Sequence, residues 1–198
     1  MKILLNGRRG KVGSALTPAL EAAGHRLVDS LEAADAMVDF TRPDAVLENV
    51  RTAVAAGVPC VVGTTGWEPE LVKDASVAVF YAPNFSLGAV LMMRFAAEAS
   101  KHMESAAIVE LHHVTKVDAP SGTAKLTAER MGGRVPIHSV RLPGLIAHQE
   151  VLLGGAGELL TIRHDALSRA AYAPGVLLAL EKLSKLPPGL TVGLDAIL

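Results

Sequence analysis

The chain has 198 residues, half of them hydrophobic, and a formal net charge of −1 at neutral pH. That length can bury one substantial core or two modest ones, and the balanced charge offers no global field for nucleic acid or an anionic membrane, so neither is expected as a partner. One cysteine, Cys60, excludes an internal disulfide framework and fits a reducing compartment; no Cys/His spacing suits a metal, and neither a leader peptide nor a membrane span is expected, which makes the cytoplasm the expected location.

The first predicted element is an apolar strand at residues 2–6, running into Gly7-Arg8-Arg9-Gly10-Lys11-Val12-Gly13 and then an Ala/Leu-rich helix ending at Gly24. Strand, glycine loop and helix in that order make a phosphate loop: glycines allow the tight turn and close approach of a pyrophosphate, and Arg8, Arg9 and Lys11 add positive charge. The spacing is G-x-x-G-x-x-G rather than G-x-G-x-x-G, so a plain βα turn with a basic loop is the competing reading. Pro18 falls inside the helix, where it either kinks the chain near Ser14 or is tolerated because packing compensates. Strands follow at 25–30 and 36–40. Only seven residues separate Asp29 from Met37, fewer than the dozen or so of a normal helical crossover, so that crossover is vestigial. Asp29 or Glu32 is the carboxylate for the adenine ribose, with Asp29 preferred; the lack of a following arginine leans to NADH, while Arg8 or Arg9 suits the 2′-phosphate of NADPH, leaving both open.

Thr41-Arg42-Pro43 opens a helix with an apolar stripe at Val46, Val50 and Val54, closed by Gly57. Residues 58–62 form a buried strand in which Cys60 is structural, 68–74 a short helix, and 77–81 another strand. Gly63-Thr64-Thr65-Gly66 and Ala82-Pro83-Asn84-Phe85-Ser86 follow two of these strands at the edge where open α/β sheets bind ligands, and would wall the same crevice; the alternative is tight turns alone. Trp67 is read as a packing residue. The rhythm predicts a Rossmann-type doubly wound parallel sheet at residues 1–85.

A long helix over 86–104 leads to a region of different grammar. Strands at 108–114, 137–142, 148–153 and 159–164 with few helices between them predict a smaller, mostly antiparallel α+β domain at 86–169. Residues 168–185 read as helix interrupted at Pro174-Gly175, and the segment 170–198 is expected to return to the first domain. His148 and His164 are expected to be structural, pairing with Glu150 or Glu158; Arg169 is a candidate tie between domains, and His25, His102 and His138 read as surface residues.

The densest chemistry lies at 112–123, where two imidazoles, an ammonium, a carboxylate and a Ser-Gly-Thr turn join a strand to a helix over 124–131. His exchanges a proton near neutral pH, Lys116 is a compact cation, and a helix starting at Ser121-Gly122-Thr123 turns free N–H groups and a positive dipole end toward a carboxylate. Taken singly the members have plainer readings: adjacent His112 and His113 point to opposite strand faces, Ser121 is a natural N-cap, and most lysines are surface residues. Together they point to an acidic substrate.

Gly7-x-x-Gly10-x-x-Gly13, Val38-Asp39-Phe40-Thr41, Gly63-Thr64-Thr65-Gly66, residues 82–86, Glu110-Leu111-His112-His113, the run 116–124, and Gly157-Glu158 with His164 and Ser168-Arg169 resemble, in order, the 4-hydroxy-tetrahydrodipicolinate reductases, long called dihydrodipicolinate reductases. The resemblance implies an NADH- or NADPH-dependent reductase of diaminopimelate and lysine biosynthesis acting on a cyclic dicarboxylate, a homotetramer associating through its second-domain sheets, with domains that close over the ligands. It implies His112 as acid/base residue and Lys116 as second proton donor, with His113, Gly122 and Thr123 on the substrate's carboxylate; the reading of the helix start adds Ser121 to that set. The cofactor would lie on residues 7–12, 63–65 and 82–85. The chain departs from the family in brevity, at 29–37 and between Met131 and His148. Two rival readings are a bidomain dehydrogenase of an amino acid, which would lack the 116–123 run, and a dinucleotide-binding sensor without turnover, which would not need His112 with Lys116.

Overall fold

Apolar runs bounded by glycine and proline turns fold into β1 (Lys2–Asn6), β2 (Arg26–Val28), β3 (Ala36–Asp39), β4 (Cys60–Val62) and β5 (Ala78–Tyr81), with α1 (Gly13–Ala22) and α2 (Pro43–Ala55) between them. The chain leaves through α3 (Leu87–Ala99) for β6 (Ser105–His112), α4 (Gly122–Arg130), β7 (Ile137–Arg141), β8 (Ala147–Gly155) and β9 (Glu158–Ala166), then returns through α5 (Ala173–Leu183) to β10 (Gly189–Val192). The computed structural model describes all 198 residues, in two compact units: 1–87 with 169–198, and 88–168.

In the first unit a six-stranded sheet runs β10-β5-β4-β3-β1-β2, every pair parallel. Helices cover both faces, which is why the strands read as continuous apolar runs rather than alternating ones. Val46, Val50 and Ala53 of α2 pack on Met37, Cys60, Val62 and Val79, while α1 and α5 pack together. Strand order reverses at β1, so the switch point, where doubly wound sheets take ligands, lies between the carboxyl ends of β1 and β3. The β2–β3 link holds only a single 3₁₀ turn at Leu31–Ala33, the vestigial crossover its length demands. Pro18 is tolerated within an unbroken α1: it and Ser14 are exposed, so water meets the carbonyl that Pro18 cannot serve, and Leu16 and Leu20 stay buried.

Three expected helices differ. Residues 68–74 make only a 3₁₀ turn, Pro69–Val72, too short to propagate. The helix expected over 86–104 stops at Ala99, where the His102 N–H closes back on the Ala99 carbonyl. Pro174 does not interrupt the C-terminal helix but begins it: it stands in the first turn of α5, where its missing N–H would have no partner, after a 3₁₀ turn at Arg169–Tyr172.

The second unit's sheet runs β7-β6-β8-β9, with β6–β7 parallel and the other pairs antiparallel. Ile108 and Glu110 of β6 stand opposite Val151 and Gln149 of β8, all four buried, and α4 packs by β6 and β7 with Ala124, Thr127 and Ala128 inward. The Gln149 amide donates to the Thr127 hydroxyl at 2.8 Å. The histidine pairing differs from expectation. His148 meets Asp165 at 2.5 Å, and Glu150 pairs with Arg163, because the β8–β9 register sets those residues directly opposite one another.

Candidate active site

At the end of β1 the chain turns through Gly7 at φ +80°, a left-handed conformation that favours glycine, and a Cβ there would lie 2.2 Å from the Phe40 carbonyl oxygen. A Cβ on Gly13 would lie 2.2 Å from the carbonyl oxygen of Gly7, and the Gly10 N–H donates to that same oxygen at 2.8 Å. The first and third glycines thus let the loop fold onto β3 and onto itself. Arg8 and Arg9 line a cleft of about 580 Å³ with Ser14 and Thr17 of α1 and with Asp29, which directly follows β2. Two guanidinium groups beside a helix start, with a carboxylate across the cleft, fit the phosphates and ribose of a dinucleotide. Of the other residues predicted here, Lys11 is exposed and outside the cleft lining, Val12 caps α1 without a side-chain bond, and Glu32 does not line the cleft.

Asp39, fully buried at the end of β3, was not among the predicted site residues. Its Oδ1 accepts from the Thr41 N–H (3.0 Å), the Thr41 hydroxyl (2.7 Å) and the Thr64 hydroxyl (2.6 Å), and its Oδ2 from the Asn49 amide (2.8 Å). Thr64, expected on the cofactor, has its hydroxyl turned inward to this carboxylate; Thr65 next to it is exposed. The space a side chain at Gly63 would need is filled by the Phe40 ring, 2.2 Å from the ideal Cβ. Ala82 and Phe85 are buried, Phe85 against Phe40 and Phe80 at 5.6 and 6.0 Å between centroids. Asn84 turns its oxygen back to the Ser86 N–H at 2.9 Å, and Pro83 is exposed. Residues 63–65 and 82–85 therefore offer a ligand mainly backbone and the exposed Thr65 and Pro83. The signal for Asp39 was legible: an aspartate closing the apolar strand Ala36–Asp39 and followed two residues on by threonine. Trp67 stacks edge-on to Tyr81 at 5.6 Å as a packing residue, and burial pushes the Cys60 thiol up to about 12, which leaves it protonated and inert.

The second unit gathers the 112–123 run around Glu110, whose side chain is wholly buried. Its Oε1 accepts from Arg141 Nη2 (2.7 Å) and the Ser121 N–H (3.3 Å), and its Oε2 from Arg141 Nη1 (2.9 Å) and faces His112 Nδ1 (2.5 Å). Burial raises this carboxyl, but hydrogen bonds from Arg141, Ser139 and His112 outweigh it and hold it below the usual glutamate value. Arg141 Nη2 also donates to the Asp118 carbonyl at 2.8 Å, pinning the loop. For His112 burial is the largest influence and lowers its pKa; Glu110 pulls it back up, and the charges of Lys116 and Arg141 lower it again. With Nδ1 on Glu110, Nε2 is the nitrogen left to exchange a proton.

Lys116 holds Asp118 at 2.7 Å and is partly exposed, so its ammonium can reach a ligand by exchanging one carboxylate for another. His113 is turned to Thr115, whose N–H donates to Nδ1 at 3.2 Å. Its neighbour His112 faces Glu110 instead, as the strand alternation requires. Ser121 is buried; its hydroxyl caps α4 by accepting from the Ala124 N–H at 3.2 Å and its own N–H is spent on Glu110. The side chain expected on a substrate carboxylate thus shapes the helix start, while exposed Gly122, with open space where a side chain would stand, lets a ligand reach the backbone. Glu110 and Arg141 went unpredicted: Glu110 read as an ordinary strand residue, and nothing local ties Arg141 to a site 31 residues away.

Residues 88–198 match the family model described as dihydrodipicolinate reductase, C-terminus, and residues 22–85 the one described as dihydrodipicolinate reductase, N-terminus. The 4-hydroxy-tetrahydrodipicolinate reductase of Mycolicibacterium smegmatis is 42% identical over 243 aligned positions, covering 100% of this chain and 99% of the relative. That alignment is longer than the 198-residue chain, so the relative carries insertions that this chain lacks. The enzyme of the same name from Desulfitobacterium hafniense is 49% identical over 83% of this chain and 73% of its own. Among solved structures, a dipicolinate-bound dihydrodipicolinate reductase from Paenisporosarcina sp. TG-14 superposes with a TM-score of 0.84 at 30% identity, covering 100% of this chain and 99% of that one. An amine dehydrogenase from Mycobacterium smegmatis, at TM-score 0.64 and 11% identity, shares the fold.

Proposed function

The chain belongs to the dihydrodipicolinate reductase family, and from that premise we propose that it reduces 4-hydroxy-tetrahydrodipicolinate to tetrahydrodipicolinate with NADH or NADPH, in diaminopimelate and lysine biosynthesis. The observation that carries the reading is that Glu110 and its partner Arg141 gather His112, the α4 start and the loop bearing Lys116 in one place: His112 and the Ser121 N–H meet the buried carboxylate, and Arg141 holds the carbonyl of Asp118, the residue that pairs with Lys116. When bound, the reduced nicotinamide supplies the hydride. Arg8, Arg9 and Asp29 hold the dinucleotide in the β1–α1 cleft. His113, the N–H groups of Gly122 and Thr123 at the start of α4, and the Lys116 ammonium hold the substrate's carboxylates, and His112 Nε2 and Lys116 handle the protons. Orientation and proton transfer of this kind each lower a barrier by about a few kcal/mol.

Loss of the nicotinamide absorbance band, on adding substrate freshly made from pyruvate and aspartate semialdehyde, tests the activity. Oxidation no faster than without substrate would refute it. The protein acts as a cytoplasmic homotetramer: exposed Leu159 and Leu160 on edge strand β9 support association through the second unit, and a monomeric mass by light scattering would refute it.

A further inference from the structure

We infer that the Glu110–Arg141 pair is a positioning device that locks His112, the start of α4 and the Asp118 loop into one geometry. The inference rests on the reductase reading and extends it to residues that touch neither substrate nor cofactor.

Each Glu110 oxygen receives one Arg141 N–H; the Ser121 N–H also meets Oε1, His112 Nδ1 meets Oε2, and Ser139 adds a hydrogen bond to the same carboxylate. The second Arg141 nitrogen also reaches the Asp118 carbonyl, two residues from Lys116. Three segments that must cooperate on one substrate are therefore tied to a single bidentate pair. Buried ion pairs as a class contribute little net stability, since an apolar pair of similar volume does as well. An apolar pair could not, however, select a tautomer. A carboxylate at Nδ1 accepts a proton, so neutral His112 carries its hydrogen there and presents the Nε2 lone pair outward. The charged groups facing His112 are Glu110 on its own strand, Arg141 on β7, and Lys116 and Asp118 from the loop. From β8 the residues in register are the uncharged Ala147 and Gln149.

The test begins with the unaltered protein. Proton–nitrogen NMR of ¹⁵N-histidine-labelled enzyme, with the His112 signals assigned from His112→Gln, should show Nδ1–H in the neutral ring; an Nε2–H tautomer overturns the inference whether or not any Glu110 variant folds. Glu110→Gln should then shift the ring toward Nε2–H and cut kcat by about tenfold to a hundredfold. KM for NADH should not change. Removing the carboxylate withdraws the interaction that favours imidazolium, so the limb of the kcat–pH profile governed by His112 should move to lower pH. Glu110→Asp, which keeps the charge, should restore the limb toward its original position. A Glu110→Gln enzyme that is slower but has an unmoved profile would show a merely structural pair. Absence of turnover in the unaltered enzyme would instead refute the reductase reading, and the tautomer would still decide whether the pair orients His112.

Discussion

Thr64→Val separates an inward role for this residue from a cofactor contact. The swap keeps shape and removes a hydroxyl that donates to Asp39 at 2.6 Å and accepts from the Thr41 N–H at 2.7 Å. The Thr41 N–H retains Asp39 as acceptor at 3.0 Å, so no backbone donor is stranded. What is lost is one of the donors around a fully buried carboxylate. A hydrogen bond to a charged group contributes about 1.5–3 kcal/mol, and for a chain of this size each kcal/mol moves the melting temperature by about 2–4 °C. The variant should therefore melt roughly 3–12 °C lower. Its NADH affinity, read by fluorescence titration below the transition, should stay within about threefold, or less than 1 kcal/mol. Unchanged melting with NADH affinity weakened about tenfold or more would refute the reasoning, because the hydroxyl would then be serving the ligand.

Lys116→Ala should cut kcat by about a hundredfold or more while leaving NADH affinity nearly intact; equal losses in both would contradict its assignment to the substrate side. Asp29→Ala removes the carboxylate of the β1–α1 cleft and should weaken NADH about tenfold to a hundredfold, with the melting temperature unchanged; unaltered binding in a calorimetric titration would exclude it from the ribose site. The Glu110, Asp118 and Asp165 carboxyls all sit below their ordinary values in the folded chain. Their stabilisation is present above the unfolded values, near 4.5 for Glu and 3.8 for Asp, and is lost as pH falls through the lower folded ones. Melting curves taken from neutral pH downward should show the transition falling below those values, and a transition insensitive to acid there would count against the ion-pair geometry. Native Cys60 should resist iodoacetamide and react only on unfolding; rapid native alkylation would contradict its burial.

Local pattern made much of the protein legible. Strand–glycine–helix at the N-terminus, parallel-strand runs of Val and Ile, and the crowding of 112–123 each lie within a few residues, and each corresponds to a feature of the fold. Pairings set by distant register were not legible. His148 finds Asp165 rather than Glu150 because β8 and β9 run antiparallel in one alignment, and Arg141 joins Glu110 only because β7 lies parallel to β6. Thr64 and Ser121 are cases of a second kind. Their hydroxyls suit a ligand in sequence, yet a buried carboxylate in one case and an uncapped N–H in the other claim them first, since unmet polar groups in the interior are costly.

The place of β10 beside β5 sets the order in which the molecule can be finished on a ribosome. Residues 78–81 emerge more than a hundred residues before the strand that covers them, and everything in 88–168 is made in the interval. The nascent first unit must hold an open row of backbone donors and acceptors on β5 through all that synthesis, a standing invitation to pair with another chain. The last ten residues close that invitation, and a ribosome that stops short of Gly189 releases a protein with every reactive side chain in place and an adhesive border.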